Sequence, residues 1–153
     1  AGEASANPPD DWSSDPFASD PMVMLLEDVE ERRKVVLLKK SLEGPLETEN
    51  EDARGLYDDS LSLIRYLRAR KWDLERAEEM VRNTARWRKA FNHRGIREGT
   101  FSGMIAEVNV QSTLYVRGYN RKGNPVLYCF VRNERTSNYE ALVRHLVYNL
   151  DRG

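Results

Sequence analysis

Cysteine occurs once in this chain of 153 residues, at Cys129. A single thiol excludes a disulfide within the chain and points to a reducing compartment. Histidine is nearly as scarce. His93 and His145 lie far apart, with no neighbouring cysteine or paired carboxylates at ligand spacing. A zinc site is therefore poorly supplied, and both read as surface or partly buried side chains. No cofactor is expected. Long apolar runs are missing too. Met22 to Leu26 is followed at once by Glu27 and Asp28, far short of a membrane span. The start is acidic, where a signal peptide would be basic, so a cytoplasmic protein is expected. Also absent are a phosphate-binding glycine loop, HExxH, GxSxG and CxxC. Acidic neighbours such as Glu78 and Glu79 read as a solvated helix face. Nothing supports catalysis, and the chain reads as no enzyme.

What is present is charge, unevenly spread. The formal net charge of −1 conceals −10 over residues 1–60, +6 over residues 61–99 and +3 over residues 100–153. A basic middle attracts anionic surfaces, either membrane or nucleic acid, unless the acidic front shields it within the molecule. Nucleic acid is the weaker option, because Arg65, Arg68, Arg82, Arg86 and Arg94 lack interleaved aromatic platforms.

Three stretches organise the chain. Residues 1–21 hold Pro8, Pro9, Pro16 and Pro21 among Asp, Ser and Ala, and read as a disordered acidic tail. Residues 22–99 read as helical. Met22 to Leu42 is one expected helix, stopped by Gly44 and Pro45. A second starts near Asp58 to Ser60 and runs to about Lys71; Asp73 caps a third, Leu74 to about Phe91. On that third helix Ala77, Met80, Thr84, Trp87 and Phe91 recur at steps of three and four. Trp87 is therefore expected in the core, where truncation to Ala costs about 3–5 kcal/mol. From residue 100 to 153 the period changes. Leu114 to Tyr119 and Pro125 to Val131 read as strands joined by a turn at Asn120 to Asn124. The run Val126 to Val131 is apolar on both faces, as in a strand covered on both sides. Asn138 to Asp151 reads as a closing helix. A two-stranded sheet cannot bury its faces alone, so the chain is expected to be incomplete at its end.

The densest signal is Leu63-Ile64-Arg65-Tyr66-Leu67-Arg68-Ala69-Arg70-Lys71-Trp72-Asp73. On a continuous helix at about 100° per residue, Arg70 falls among Leu63, Tyr66, Leu67 and Ile64, whereas Arg65 falls outside them. A guanidinium turned toward protein requires a partner: helix carbonyls, a carboxylate or a ligand phosphate.

This segment, with Ala77, Met80, Trp87 and Arg88, resembles the helical N-terminal region of the CRAL-TRIO family. Gly118-Tyr119-Asn120-Arg121-Lys122-Gly123-Asn124-Pro125-Val126 is similar to that family's first hairpin, commonly G-x-D-x-x-G-R-P-V. Leu146, Val147, Tyr148 and Asp151 resemble the helix that follows. Asn120 and Asn124 depart from the usual Asp and Arg. The resemblance covers about residues 57–153.

The resemblance implies an α/β protein: an all-helical N-terminal subdomain, then the first hairpin and helix of a truncated CRAL-TRIO domain. It implies a carrier that binds, moves or presents a hydrophobic lipid, foremost a phosphoinositide or another phospholipid. It implies transient membrane contact, dealings with lipid-modifying enzymes, and no nucleic-acid partner. Arg70 aligns with an arginine at the headgroup phosphate in the phosphatidylinositol-transfer branch. Tyr128 and Phe130, or alternately Leu127, Cys129 and Val131, are candidates for a pocket floor. The competing reading is a helical interaction module that regulates a partner such as a small GTPase, without lipid exchange.

Overall fold

The computed structural model describes residues 12–43 and 54–152. The chain forms two compact units, Ala1–Phe91 and Asn92–Gly153. The division falls at Phe91, ahead of the Gly99 boundary expected from sequence.

The first unit is helical. Two short 3-10 turns, Trp12–Ser14 and Pro16–Ser19, lead into α1 (Pro21–Met24), α2 (Val29–Leu42), α3 (Arg54–Tyr57), α4 (Ser60–Ala69) and α5 (Leu74–Phe91). The stretch expected as a disordered tail is folded from Trp12 onward, and residues 1–11 lie outside the described residues. Its order has visible causes. Ala18 is buried, Phe17 packs against the core, and Lys40 Nζ lies 3.4 Å from Asp15 Oδ2. Local composition counted the prolines and acids but not the apolar surface that Phe17 finds on the helices behind it.

The helix expected over Met22 to Leu42 is broken between α1 and α2. Asp28 takes an extended conformation, and its Oδ1 accepts from the Glu30 amide at 2.8 Å. A short acceptor beside its own backbone favours a cap over a helix interior. Arg32 Nε donates to the Leu26 carbonyl at 2.6 Å, which satisfies a group the break would otherwise leave open. Beyond the cap, Val35, Leu38 and Leu42 from α2 meet Leu63, Ile64 and Leu67 from α4 in one core. Leu38, Leu42, Leu63 and Leu67 are fully buried, and each contributes roughly 1.5–3 kcal/mol by leaving water.

The contact face of α5 is Ala77, Val81 and Ala85. Small side chains at i, i+4 and i+8 let the helix approach its neighbours closely. The face expected from the aromatics is thereby corrected. Trp87 is 45% exposed and stacks on Phe91 with ring centres 5.0 Å apart. Only Ala77 of the expected stripe is fully buried.

The second unit contains α6 (His93–Arg97), α7 (Ser102–Asn109), β1 (Leu114–Tyr119), β2 (Pro125–Cys129) and α8 (Tyr139–Leu150). Gly95 sits where a Cβ would meet Asn92 Nδ2 and the Phe101 ring at 2.8 Å each, so this turn of α6 accepts glycine alone without movement. Helices α7 and α8 pack together, with Ile105, Val108 and Ala141 buried. His93 Nε2 lies 2.9 Å from Asp151 Oδ2, and Arg144 covers the Phe101 ring at 3.6 Å.

The hairpin is antiparallel, with Leu114 opposite Cys129, Tyr115 opposite Tyr128 and Val116 opposite Leu127. Asn120 Oδ1 accepts from the Lys122 amide at 2.8 Å and the Asn124 amide at 3.0 Å. An amide oxygen thus serves the turn. The register slips between Val116 and Tyr119, at the left-handed Gly118. β2 was expected to be covered on both sides, and it is not. Leu127, Tyr128 and Phe130 stay about 40% exposed and Val131 76%. The unit sets one helix, α8, against β1, which leaves most of the outer strand in water.

Candidate functional site

Arg70 ends α4, and its surroundings differ from those of a continuous helix. The last helical residue is Ala69; Arg70 is the C-cap at φ −110°, ψ 18°. Lys71 and Trp72 follow in left-handed conformation, at φ 53° and 63°. Two consecutive residues with side chains in that region store strain, which packing must offset. Trp72 supplies the packing: its ring lies against the core, and its amide donates to the Leu67 carbonyl at 2.8 Å. Asp73 then starts α5 by accepting from the Arg76 amide at 3.0 Å.

The sharp corner overturns the helical-angle argument for Arg70. Once the helix stops at Ala69, the next side chain no longer continues along the apolar arc, and Arg70 is exposed. Arg68 and Lys71 are exposed beside it. Three cations thus stand at the C-terminal end of α4, where the helix dipole favours positive charge. Arg82 has a structural task that the sequence did not signal. It pairs with Glu78 at 2.7 Å and donates to the Ser41 carbonyl at 3.0 Å, tying α5 to the end of α2. With Arg86 bonded to Asn83 and Arg94 to Glu98, three of the five arginines considered for nucleic acid are engaged locally.

In the second unit an apolar groove of about 270 Å³ runs between the hairpin and α8. Leu114, Cys129 and Val131 form one wall, and Leu142, Val143 and Leu146 the other. Leu114 and Cys129 face each other across the hairpin, and Val131 joins them from the turn after β2. Tyr128 and Phe130 belong to the opposite set. Both stack with Tyr115, at 5.3 and 6.1 Å between ring centres. The alternates Cys129 and Val131 are therefore the ones this groove brings together.

His145 closes the groove's inner end and is 1% exposed. Its Nε2 lies 3.2 Å from both Asn109 Oδ1 and Asn149 Nδ2. One tautomer donates to Asn109; the other accepts from Asn149. Burial pushes its pKa below the ordinary value, opposed in part by the Glu134 carboxylate.

Residues 25–83, which span α2, α4, the Arg70 corner and half of α5, match the family described as CRAL/TRIO, N-terminal domain. This segment is similar to a CRAL/TRIO N-terminal domain. The chain is similar to a CRAL-TRIO domain-containing protein of Schizosaccharomyces pombe, 30% identical over 89 residues. It is similar to a phosphatidylinositol transfer protein of Eremothecium gossypii, 30% identical over 104 residues, and to a SEC14 cytosolic factor of Yarrowia lipolytica, 32% identical over 102. These matches cover 58%, 57% and 61% of this chain, but only 8%, 23% and 20% of the relatives. No solved structure gives a significant match. The CRAL/TRIO segment contains Arg70 but not the apolar groove, whose lining residues all lie beyond it. No helix among the described residues is long and apolar enough to cross a membrane.

Proposed function

We propose that the protein carrying this chain binds a membrane lipid and transfers it between membranes or presents it to lipid-modifying enzymes, without catalysing a reaction itself. The observation that carries this reading is the apolar groove between hairpin and α8, bordered by apolar strand residues that remain in water. A free cytosolic carrier must replace the bilayer for its ligand, because each methylene exposed to water costs about 0.8 kcal/mol. One relative is named a phosphatidylinositol transfer protein and another a SEC14 cytosolic factor. The ligand we favour is a phosphoinositide, with Arg70 the residue proposed for its phosphate; within the second unit, the groove and the Tyr128 and Phe130 face of the hairpin offer apolar surface of the kind acyl chains require. The exposed Arg70 suits an encounter with a headgroup at a membrane surface, and the protein acts there as a peripheral one.

Native mass spectrometry of the purified gene product tests the carrier reading. A carrier purifies with stoichiometric phospholipid, whereas lipid-free protein under native conditions contradicts it. Arg70→Lys tests the headgroup assignment. Guanidinium grips phosphate through two parallel hydrogen bonds and ammonium does not. Losing one charge-assisted bond, about 1.5–3 kcal/mol, weakens phosphoinositide binding about ten-fold or more. Binding unchanged in Arg70→Lys, with Arg76→Lys as the exposed control, rejects Arg70 as the headgroup residue.

A further inference from the structure

A second groove, in the first unit, sets charged and hydroxyl side chains beside apolar ones. It holds about 400 Å³ between α4 and α5. Ser62, Arg65 and Tyr66 enter it from α4, and Thr84 and Arg88 from α5, over Met80. Spacing explains the assembly. Arg65 and Tyr66 lie three and four residues after Ser62, and Met80, Thr84 and Arg88 follow one another at steps of four. Each helix therefore contributes one guanidinium and at least one hydroxyl to the same cleft. None of its described lining residues is acidic. Among the described residues, neither Arg65 nor Arg88 takes part in an ion pair. The contrast on α5 is informative, since Arg76 and Arg82 both have carboxylate partners. Thr84 Oγ1 donates to the Met80 carbonyl at 2.9 Å and Ser62 Oγ to Asp59 Oδ2 at 3.0 Å, so the Tyr66 hydroxyl is the cleft hydroxyl whose proton these bonds leave for a ligand.

Two guanidiniums sharing a cleft repel each other unless an anion lies between them. Planar forks of N–H donors match the oxygens of a phosphate, and the Tyr66 hydroxyl adds a neutral donor beside them. The volume lies within the range of small-molecule sites, about 300–1,000 Å³, and exceeds what a bare oxyanion needs. Leu56 and Met80 give the cleft an apolar base for the carbon part of such a ligand. We propose that this α4–α5 cleft is a binding site for a phosphate monoester on a small polyol, held between Arg65 and Arg88. The site excludes Arg70 and the groove of the second unit, so it stands or falls independently of the lipid-carrier reading.

The test uses the 153-residue chain. Glycerol 3-phosphate is titrated by calorimetry, and flotation is measured with phosphatidylcholine vesicles containing phosphatidylinositol 4-phosphate. Arg65→Gln and Arg88→Gln each weaken binding at least ten-fold, and Arg86→Gln, on the same helix but outside the cleft, changes it less than two-fold. Saturable binding of glycerol 3-phosphate with this dependence identifies a soluble ligand. The same dependence with vesicles alone identifies a lipid headgroup. Circular dichroism melting of each variant guards against loss of fold, and Arg65→Lys serves as a second variant that keeps charge and packing. No binding of either probe, or equal weakening by Arg86→Gln, overturns the proposal in favour of diffuse surface charge.

Discussion

Trp87 and Leu67 mark the two ends of what burial does to a side chain. Leu67 is fully buried among α2, α4 and α5 residues. Leu67→Ala removes that contact and leaves a cavity, for a loss of about 2–5 kcal/mol. Trp87 keeps nearly half its surface in water and gains mainly its stack on Phe91. Trp87→Ala should cost only about 0.5–1.5 kcal/mol, the worth of an aromatic pair. Urea midpoints of the two variants decide this, and a larger loss in Trp87→Ala would return Trp87 to the core. His145 gives a residue-scale prediction in pH. Its folded-state pKa lies below the ordinary 6.5 because burial disfavours the imidazolium, with Glu134 pulling weakly the other way. The unfolded chain therefore takes up the proton first as pH falls. The stability held by neutral His145 is fully present above the unfolded value and is lost as pH drops through the folded one. The thermal midpoint should fall as pH drops below the ordinary histidine value of 6.5, and His145→Gln should flatten that fall. An equal fall in the variant assigns the response elsewhere.

At the scale of elements, short polar side chains at helix starts do more than their local sequence suggests. Asp20 accepts from the Met22 amide at 2.8 Å, capping α1, and from Ser60 Oγ at 2.7 Å, across 40 residues of chain. Ser60 opens α4 and is 3% exposed, so its hydroxyl needs that partner. Asp20→Ala should cost about 1–3 kcal/mol, the penalty of a buried polar group left unsatisfied plus a lost cap. Asp20→Asn should retain most of the stability, and thermal melts of both variants check the pair. A loss below 0.5 kcal/mol in Asp20→Ala would reduce the residue to a surface aspartate, by about the margin of ordinary surface substitutions. Capping signals were legible: Asp59, Asp73 and Asn138 stand at helix starts near those expected. Asp28 was equally legible as a residue type, but its break in the first helix was not. A capping side chain inside an apolar period has two outcomes, and the choice depends on whether the freed carbonyl finds Arg32.

At the scale of the whole molecule, the apolar groove has room for only part of a membrane lipid's chains. Two long acyl chains exposed to water cost on the order of 20 kcal/mol. A groove of about 270 Å³ lies at the lower limit of sites for drug-sized ligands, about 300 Å³. Residues 1–153 alone should therefore move no labelled phospholipid between donor and acceptor vesicles, whereas the purified gene product should. Transfer by this chain at the same rate would show that the remaining length of its relatives is not needed for the pocket. The element types and their order over Leu74–Phe91, the hairpin and α8 were set by the sequence itself, because hydrophobic period, turn residues and caps act within a few residues of each other. The resemblance to the CRAL-TRIO family could be read the same way, since each of its blocks is local in sequence. Which face of α5 is buried was decided only in the tertiary structure: Ala77, Val81 and Ala85 win because closely approaching helices favour small side chains over large ones. The exposure of Arg70 depends likewise on where Trp72 lodges, and the cleft between Arg65 and Arg88 exists only once two helices lie side by side. Periodicity assigns a side chain to a face of its own helix, and only packing decides what that face meets.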